Sequence, residues 1–342
     1  MLDCGVIQIK TQLWNRIVKI LSLLVNVLVI SALLCRGSAC NPAWSEGGHN
    51  LIAVMAYRML DRDKQQTLIS ILRSHPQFES EFKLPEGLED REQINEFIIG
   101  RAGYWPDVAR KYREFDRPTW HYQLGATKVI GQLQPPEDPI ELPEQATPET
   151  QELHVVQAIA LNRQVISRED TELTEKAKAI CWLAHLVADI HQPCHAGSLY
   201  IENIWPEGDR GANSIPTQQS RNMHALWDQL LGRSYDASDI RRRAFEISEN
   251  EEYRKKLATL ETKSDFNDPM TWVRESRELA LQSVYTDAVL EYVQQPVDQR
   301  PKALNLPDEY LEKAGAVARL QALIAARRLA NVWEGCLTVD SD

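Results

Sequence analysis

The stretch Ala184-His185-Leu186-Val187-Ala188-Asp189-Ile190-His191-Gln192-Pro193-Cys194-His195 decides how this chain is read. Residues 180–190 are apolar almost all the way round, the pattern of a helix buried on every side. His185 and Asp189 stand four residues apart and so share one helix face. A carboxylate in such a helix is costly unless it is paired or holds a cation. Pro193 is expected to end the helix, with His195 following from the turn. Imidazole, carboxylate and imidazole converging on one buried point suit zinc. A satisfied core histidine is the plainer alternative, and other segments decide between the two.

Met223-His224-Ala225-Leu226-Trp227-Asp228 repeats the His-x-x-x-Asp spacing on a second expected helix. Alone it reads as an exposed polar pair. Beside His195 it supplies three protein ligands with one position left open, the plan of a catalytic zinc. Asp107 follows Trp105-Pro106, and His121 sits within Thr119-Trp120-His121-Tyr122. Each alone reads as a turn residue or as packing. His49 follows Trp44 by five residues.

The remaining signals are helical. Apolar periodicity predicts helices over 48–60, 65–72, 93–108 with a break at Pro106, 222–231 and 314–333. Thr147-Pro148-Glu149 reads as a helix start, opening a helix to about Ile166, with the central helix following from about Thr174. Asp268-Pro269 does the same for a helix through about Tyr285. Residues 125–145, rich in Gly, Pro, Gln and Glu, read as an exposed loop, and 199–220 as a long irregular segment of functional type. Alternating runs of sheet length are absent from the sequence, so the expected fold is a single all-α domain.

Composition sets the limits. The chain has 342 residues, 43% hydrophobic and 25% charged, with formal net charge −11 and pI about 5.3. That balance has the wrong sign for grip on duplex nucleic acid through a broad basic surface, and a phosphodiester substrate would need its charge met locally, by metals or a few Arg residues. Lys10, Arg16 and Lys19 precede an apolar run from Ile20 to Leu34 and then Gly37, Ser38 and Ala39. This is the pattern of a secretory signal peptide over residues 1–43, placing residues 44–342 outside the cytoplasm, secreted or periplasmic. The run of about fifteen residues is short for a membrane span of roughly twenty, although an uncleaved anchor is the alternative. Three cysteines follow the leader, Cys181, Cys194 and Cys336, too few for a disulfide scaffold.

Taken together, these motifs resemble the S-one/P-one nuclease family of secreted zinc nucleases. The family's N-terminal Trp with His five residues on is matched by Trp44 and His49. Its Trp-x-Asp-x-x-Arg segment is matched by Trp105, Asp107 and Arg110, and its aromatic-flanked His by His121. The His-x-x-x-Asp-x-x-Gln-Pro-x-His core is matched by His185, Asp189, Gln192, Pro193 and His195. The His/Trp-Asp helix is matched by His224, Trp227 and Asp228, and the terminal Arg-Leu-Ala-Asn-x-Trp by residues 328–333. The resemblance spans Trp44 to Trp333.

It implies a compact helical fold shared with zinc-dependent phospholipase C, and three Zn2+ per chain. One would be held by Asp107, His121, His185 and Asp189. A second would be held by the terminal amine and carbonyl of Trp44 with His49 and a shared Asp189, and a third by His195, His224 and Asp228. It implies hydrolysis of single-stranded DNA and RNA to 5′-phosphorylated products, with 3′-nucleotidase activity in many relatives. Asp107, Asp189 and Arg110 would serve catalysis, Arg110 either offsetting phosphate charge or orienting Asp107. Tyr122 and Asn213 would touch substrate. Leu124 stands where the fungal base pocket has an acid, and the fungal disulfides have no counterparts. His191 is expected near the ligands or at the surface, outside the ligand set. Two other readings are a phospholipase C, whose family has Glu in place of Asp228, and a non-catalytic helical protein with structural zinc. No stable protein partner is implied.

Overall fold

The computed structural model describes residues 44–337 apart from Ser234; the leader expected over residues 1–43 lies outside them. Among the described residues the chain is helical save for one pair of short strands. Its centre is α6 (Leu173–Asp189), buried from Ala177 to Asp189 apart from Lys178. Around it pack α1 (Glu46–Arg58), α2 (Arg62–Leu72), α4 (Arg91–Ala109), α5 (Val155–Ser167) and the last helix, α13 (Asp308–Cys336). A four-residue turn, α3 (Phe78–Glu81), links α2 to α4. With 29 residues, α13 is about 44 Å long and reaches α1, α5 and α6.

A second, smaller apolar cluster gathers Leu199, Ile215, Met223, Trp227, Val284, Tyr285 and Val289. Its elements include α7 (Pro193–Ala196), α8 (Met223–Asp228), a π-turn at Ala280–Val284 and α12 (Asp287–Gln294). The seam between the two clusters is where α6 ends and α7 begins. Helices α9 (Ala237–Ser248) and α10 (Glu251–Glu261) lie outside on the larger cluster, and α11 (Pro269–Leu279) spans the seam.

Several local expectations are corrected. Residues Gly125–Ile130 are not exposed loop but β1, paired in parallel with β2 (Gly197–Ile201), which also shortens the irregular segment expected from residue 199. Thr147-Pro148-Glu149 forms a closed turn, Thr150 N–H donating to Thr147 O at 2.9 Å, and the helix starts at Val155. There Gln157 takes the His154 N–H, a capping partner that outcompetes the proline signal. Pro106 does not end α4: the helix runs one further turn to Ala109 and so turns Asp107 inward. Pro193 opens the short α7 rather than terminating α6, which stops at Asp189. The helix begun at Pro269 gives way at Ala280 to the π-turn.

Candidate metal centre

Six segments deliver eight buried or nearly buried ligand-type side chains to the seam. His49 comes from α1, Asp107 from the last turn of α4, and His121 from the loop before β1. His185 and Asp189 come from α6, His195 from α7, and His224 and Asp228 from α8. His49, His121, His185 and Asp189 have no measurable exposure, and His195 has 1%.

They fall into three groups whose ligand atoms lie within 4.8 Å of one another: His49, Asp107 and His185; His121, His185 and Asp189; and His195, His224 and Asp228. Asp189 uses both oxygens. Oδ1 lies 3.3 Å from His49 Nε2, while Oδ2 lies 3.0 Å from His121 Nδ1 and 3.2 Å from His185 Nε2. Asp107 Oδ1 is 3.8 Å from His185 Nε2. In the third group His195 Nε2 and His224 Nε2 are 3.0 Å apart, and Asp228 Oδ2 is 3.6 Å from the latter. Donors set around one tetrahedral ion at 2.0–2.1 Å stand about 3.3 Å from each other, so these spacings suit zinc.

Backbone carbonyls fix which imidazole nitrogen is left for a cation. His185 Nδ1 donates to Gly103 O at 2.8 Å, His195 Nδ1 to His121 O at 2.6 Å, and His224 Nδ1 to Gly211 O at 2.6 Å. With the proton held on Nδ1, each Nε2 presents a lone pair. The two Nε2 atoms of His195 and His224 therefore face each other as acceptors with no hydrogen between them. A cation between them relieves that repulsion, and the donors present fit one.

Electrostatics point the same way. Burial, helped by neighbouring positive charge, holds His49, His121 and His195 well below the ordinary imidazole value. Burial brings His224 to about 4, so these rings are neutral. Burial opposes charge on His185 too, but the Asp189 and Asp107 carboxylates outweigh it and raise its pKa. Burial also raises Asp107, pushes Asp189 up to about 6, and sets Asp228 well above the usual carboxylate range. Neutral imidazoles beside carboxylates that resist ionising form a site short of positive charge. Of the buried side-chain atoms here, His49 Nε2, His121 Nε2 and Asp189 Oδ1 make no hydrogen bond.

Supporting residues set the geometry. Gln192 donates to Asp228 Oδ1 at 2.7 Å and accepts from Cys194 N at 2.6 Å. The turn carrying Gly211 is unusual: Arg210, Gly211 and Ala212 all have φ of 62–63°. Asp209, buried beneath it, accepts from Leu199 N and from the Tyr285 hydroxyl. Trp44 is fully buried and donates Nε1 to Ala188 O at 3.0 Å, while Ser45 N–H donates to Asp228 O at 2.8 Å. The chain at Trp44 thus runs between α6 and α8.

Arg110 lies with Nε 3.2 Å from Asp107 Oδ1, which gives it an orienting contact. Tyr122 is half-buried, its ring edge-on to His154 at 5.9 Å. Asn213 closes the Gly211 turn, donating to Arg210 O at 2.8 Å and accepting from Asn222 at 3.2 Å. His191 is not at the surface. It is fully buried, donates to Val187 O, and accepts from the buried Arg328 at 2.8 Å. The three cysteines at 181, 194 and 336 are free. Sequence reading overlooked Gly103, Asp209, His154 and Arg277; Gly103 acts through its backbone carbonyl, which leaves no signal in residue type.

Across residues 44–338 the chain matches the family described as S1/P1 Nuclease. One relative, Endonuclease 4 of Arabidopsis thaliana, is 37% identical over 57 residues, a stretch covering 16% of this chain and 16% of that protein. The family is metal-dependent, and three His/Asp groups at the seam are the places where this chain could hold metal. Helical among its described residues, this chain belongs to the S1/P1 nuclease family.

Proposed function

We propose that this chain is a secreted or periplasmic zinc-dependent endonuclease that cuts single-stranded DNA and RNA to 5′-phosphorylated products and also removes 3′-phosphates from nucleotides. The observation that carries the reading is the pair of proton-free Nε2 atoms of His195 and His224 at 3.0 Å, beside the Asp189 carboxylate shared by two further groups. Three ions would be held: by Asp107, His121, His185 and Asp189; by His49, Asp189 and the amine and carbonyl of Trp44; and by His195, His224 and Asp228. The Trp44 amine exists only if the leader is removed immediately before it. When bound, zinc supplies Lewis acidity that polarises the phosphoryl group and makes a nucleophile available near neutral pH.

The chain's own groups do the positioning. Asp189 ties two of the groups together through its two oxygens and sets their spacing. Asp107, held by Arg110 at 3.2 Å, keeps its carboxylate turned to His185, and the guanidinium places a fixed positive charge near an incoming phosphate. Gln192 orients Asp228 for the third group. Water adds to phosphorus, the bond to O3′ breaks, and the phosphate stays on the 5′ side. Tyr122 offers an aromatic face on which any base can stack, and Asn213 a polar contact beside the third group. A recessed cluster is reached by an unstacked strand more readily than by a duplex, which argues for the single-strand preference.

The test uses mature protein: N-terminal sequencing, zinc content, and cleavage of a single-stranded oligonucleotide against its duplex. A Trp44 start, about three zincs per chain and 5′-phosphorylated fragments from the single strand are expected. A different start with two zincs or fewer would refute the terminal-amine ligand. Equal cleavage of duplex would refute the preference.

A further inference from the structure

Consecutive residues on α11 grip the chain on both sides of the segment that joins the two halves of the centre. Ser276, fully buried, donates Oγ to Ile190 O at 2.6 Å, one residue beyond Asp189. Arg277 donates Nε to Ala196 O at 2.6 Å, one residue beyond His195. Its Nη2 also donates to Gln123 O at 3.0 Å, two residues beyond His121. Asp138 fixes the guanidinium as a fork, 2.6 Å from Nη1 and 2.7 Å from Nη2. The first paired residues of the two strands, Gly125 and Gly197, lie directly against this side chain, where a Cβ on Gly125 would strike Nη2.

We infer that Arg277, oriented by Asp138 and seconded by Ser276, is a positioning residue that sets the separation of the His195–His224–Asp228 group from the groups built on Asp189. The inference rests on the metal-nuclease reading above. The hydrogen bonds of Arg277 go to two main-chain carbonyls and to Asp138. It holds the main chain just past His121 and His195, two residues that already hold each other through His195 Nδ1 on His121 O and Gln123 N–H on His195 O at 2.9 Å. In-line displacement needs the entering and departing oxygens served at a fixed distance, and an error of about 1 Å can cost about 100-fold in rate. Only a planar five-donor fork can reach Ala196, Gln123 and Asp138 together; a lysine keeps the charge but not the span.

The experiment compares wild type with Arg277→Lys, Arg277→Met and Asp138→Asn as secreted holoenzymes. Zinc content, Tm, and kcat and KM on a single-stranded oligonucleotide are measured for each. Cobalt-substituted samples of each add the visible absorption of the ions. The expected result for Arg277→Lys is wild-type metal content, KM within about threefold, kcat down about 10- to 100-fold, and an altered cobalt spectrum. Asp138→Asn gives a smaller loss of the same kind, and it carries the test together with Arg277→Lys if Arg277→Met does not fold. A kcat that falls only in proportion to lost metal, or that stays within twofold with unchanged cobalt spectra, overturns the inference. Should wild type itself fail to cleave, the nuclease reading on single strands falls, while the cobalt spectra still report whether Arg277 sets the geometry.

Discussion

Replacing Gly211 by alanine tests the design of the third group most directly. Gly211 has φ +63°, where an L-residue costs about 1–2 kcal/mol. Its neighbours Arg210 and Ala212 bear the same dihedral, so that cost alone does not forbid a side chain. The Cβ, however, would lie against Cys194 O, a backbone atom next to His195 that cannot swing aside. Overpacking of that kind adds about 1–3 kcal/mol, for a total near 3 kcal/mol. In a domain of this size the loss lowers Tm by roughly 5–10 °C. It also displaces Gly211 O, the acceptor that holds His224 Nδ1, so one zinc per chain should be lost or weakened. Arg210→Gly is the paired control: exposed and free of the clash, it relieves the same dihedral and should raise Tm slightly. Thermal melts and a chelator-competition titration read both variants. A Gly211→Ala protein with wild-type Tm and full metal content would refute the reasoning.

Other outcomes follow from the same structure. Stripping metal with a chelator should lower Tm by many degrees and abolish nuclease activity, since buried Asp189 and Asp228 lose the cation that offsets their charge; an unchanged melt would count against the centre. Arg328→Met should destabilise by about 3–5 kcal/mol, measured by denaturant unfolding, because Glu275 and His191 lose their buried partner. His75, brought by burial to about 3, is neutral when folded and titrates near 6.5 when unfolded. The unfolded chain therefore binds more protons between those values, so stability rises with pH across that window, and is lost as pH is lowered through it, by up to about 1.4 kcal/mol per unit. His75→Phe should remove that slope in metal-free protein, and an identical slope in both would refute it. Tyr122→Ala should raise KM on oligonucleotides about 5- to 150-fold with metal content unchanged, the about 1–3 kcal/mol of one stacked base.

The residues that the fold gathers at the seam were more legible in the sequence than the scaffold around them. His185 and Asp189 announced themselves because a charged group in an all-round apolar helix needs a partner, and Asn222 before Met223 caps α8 as its type suggests. β1 was hidden because a six-residue strand in a Gly- and Pro-rich region has no periodicity of its own; its register comes from β2, seventy residues away in the chain. Likewise α9 and α10 carry few buried apolar residues, Ile240, Ala244 and Ile247 on one and Tyr253 and Leu257 on the other, and are recognisable chiefly by the capping Asp236 and Asn250. The roles of Arg277 and Gly103 depend on main-chain carbonyls they meet or offer across the fold. Residue type carries no trace of such contacts.

The side chains that could hold metal run from His49 to Asp228, and the helix that covers α1 and α6 closes only at Cys336. A growing polypeptide still on the ribosome therefore holds no finished centre: His49 and His121 emerge long before Asp228, and the α13 cover comes last. Scattering a centre along nearly two hundred residues slows folding. It also makes the centre a property of the whole fold rather than of any one fragment of it.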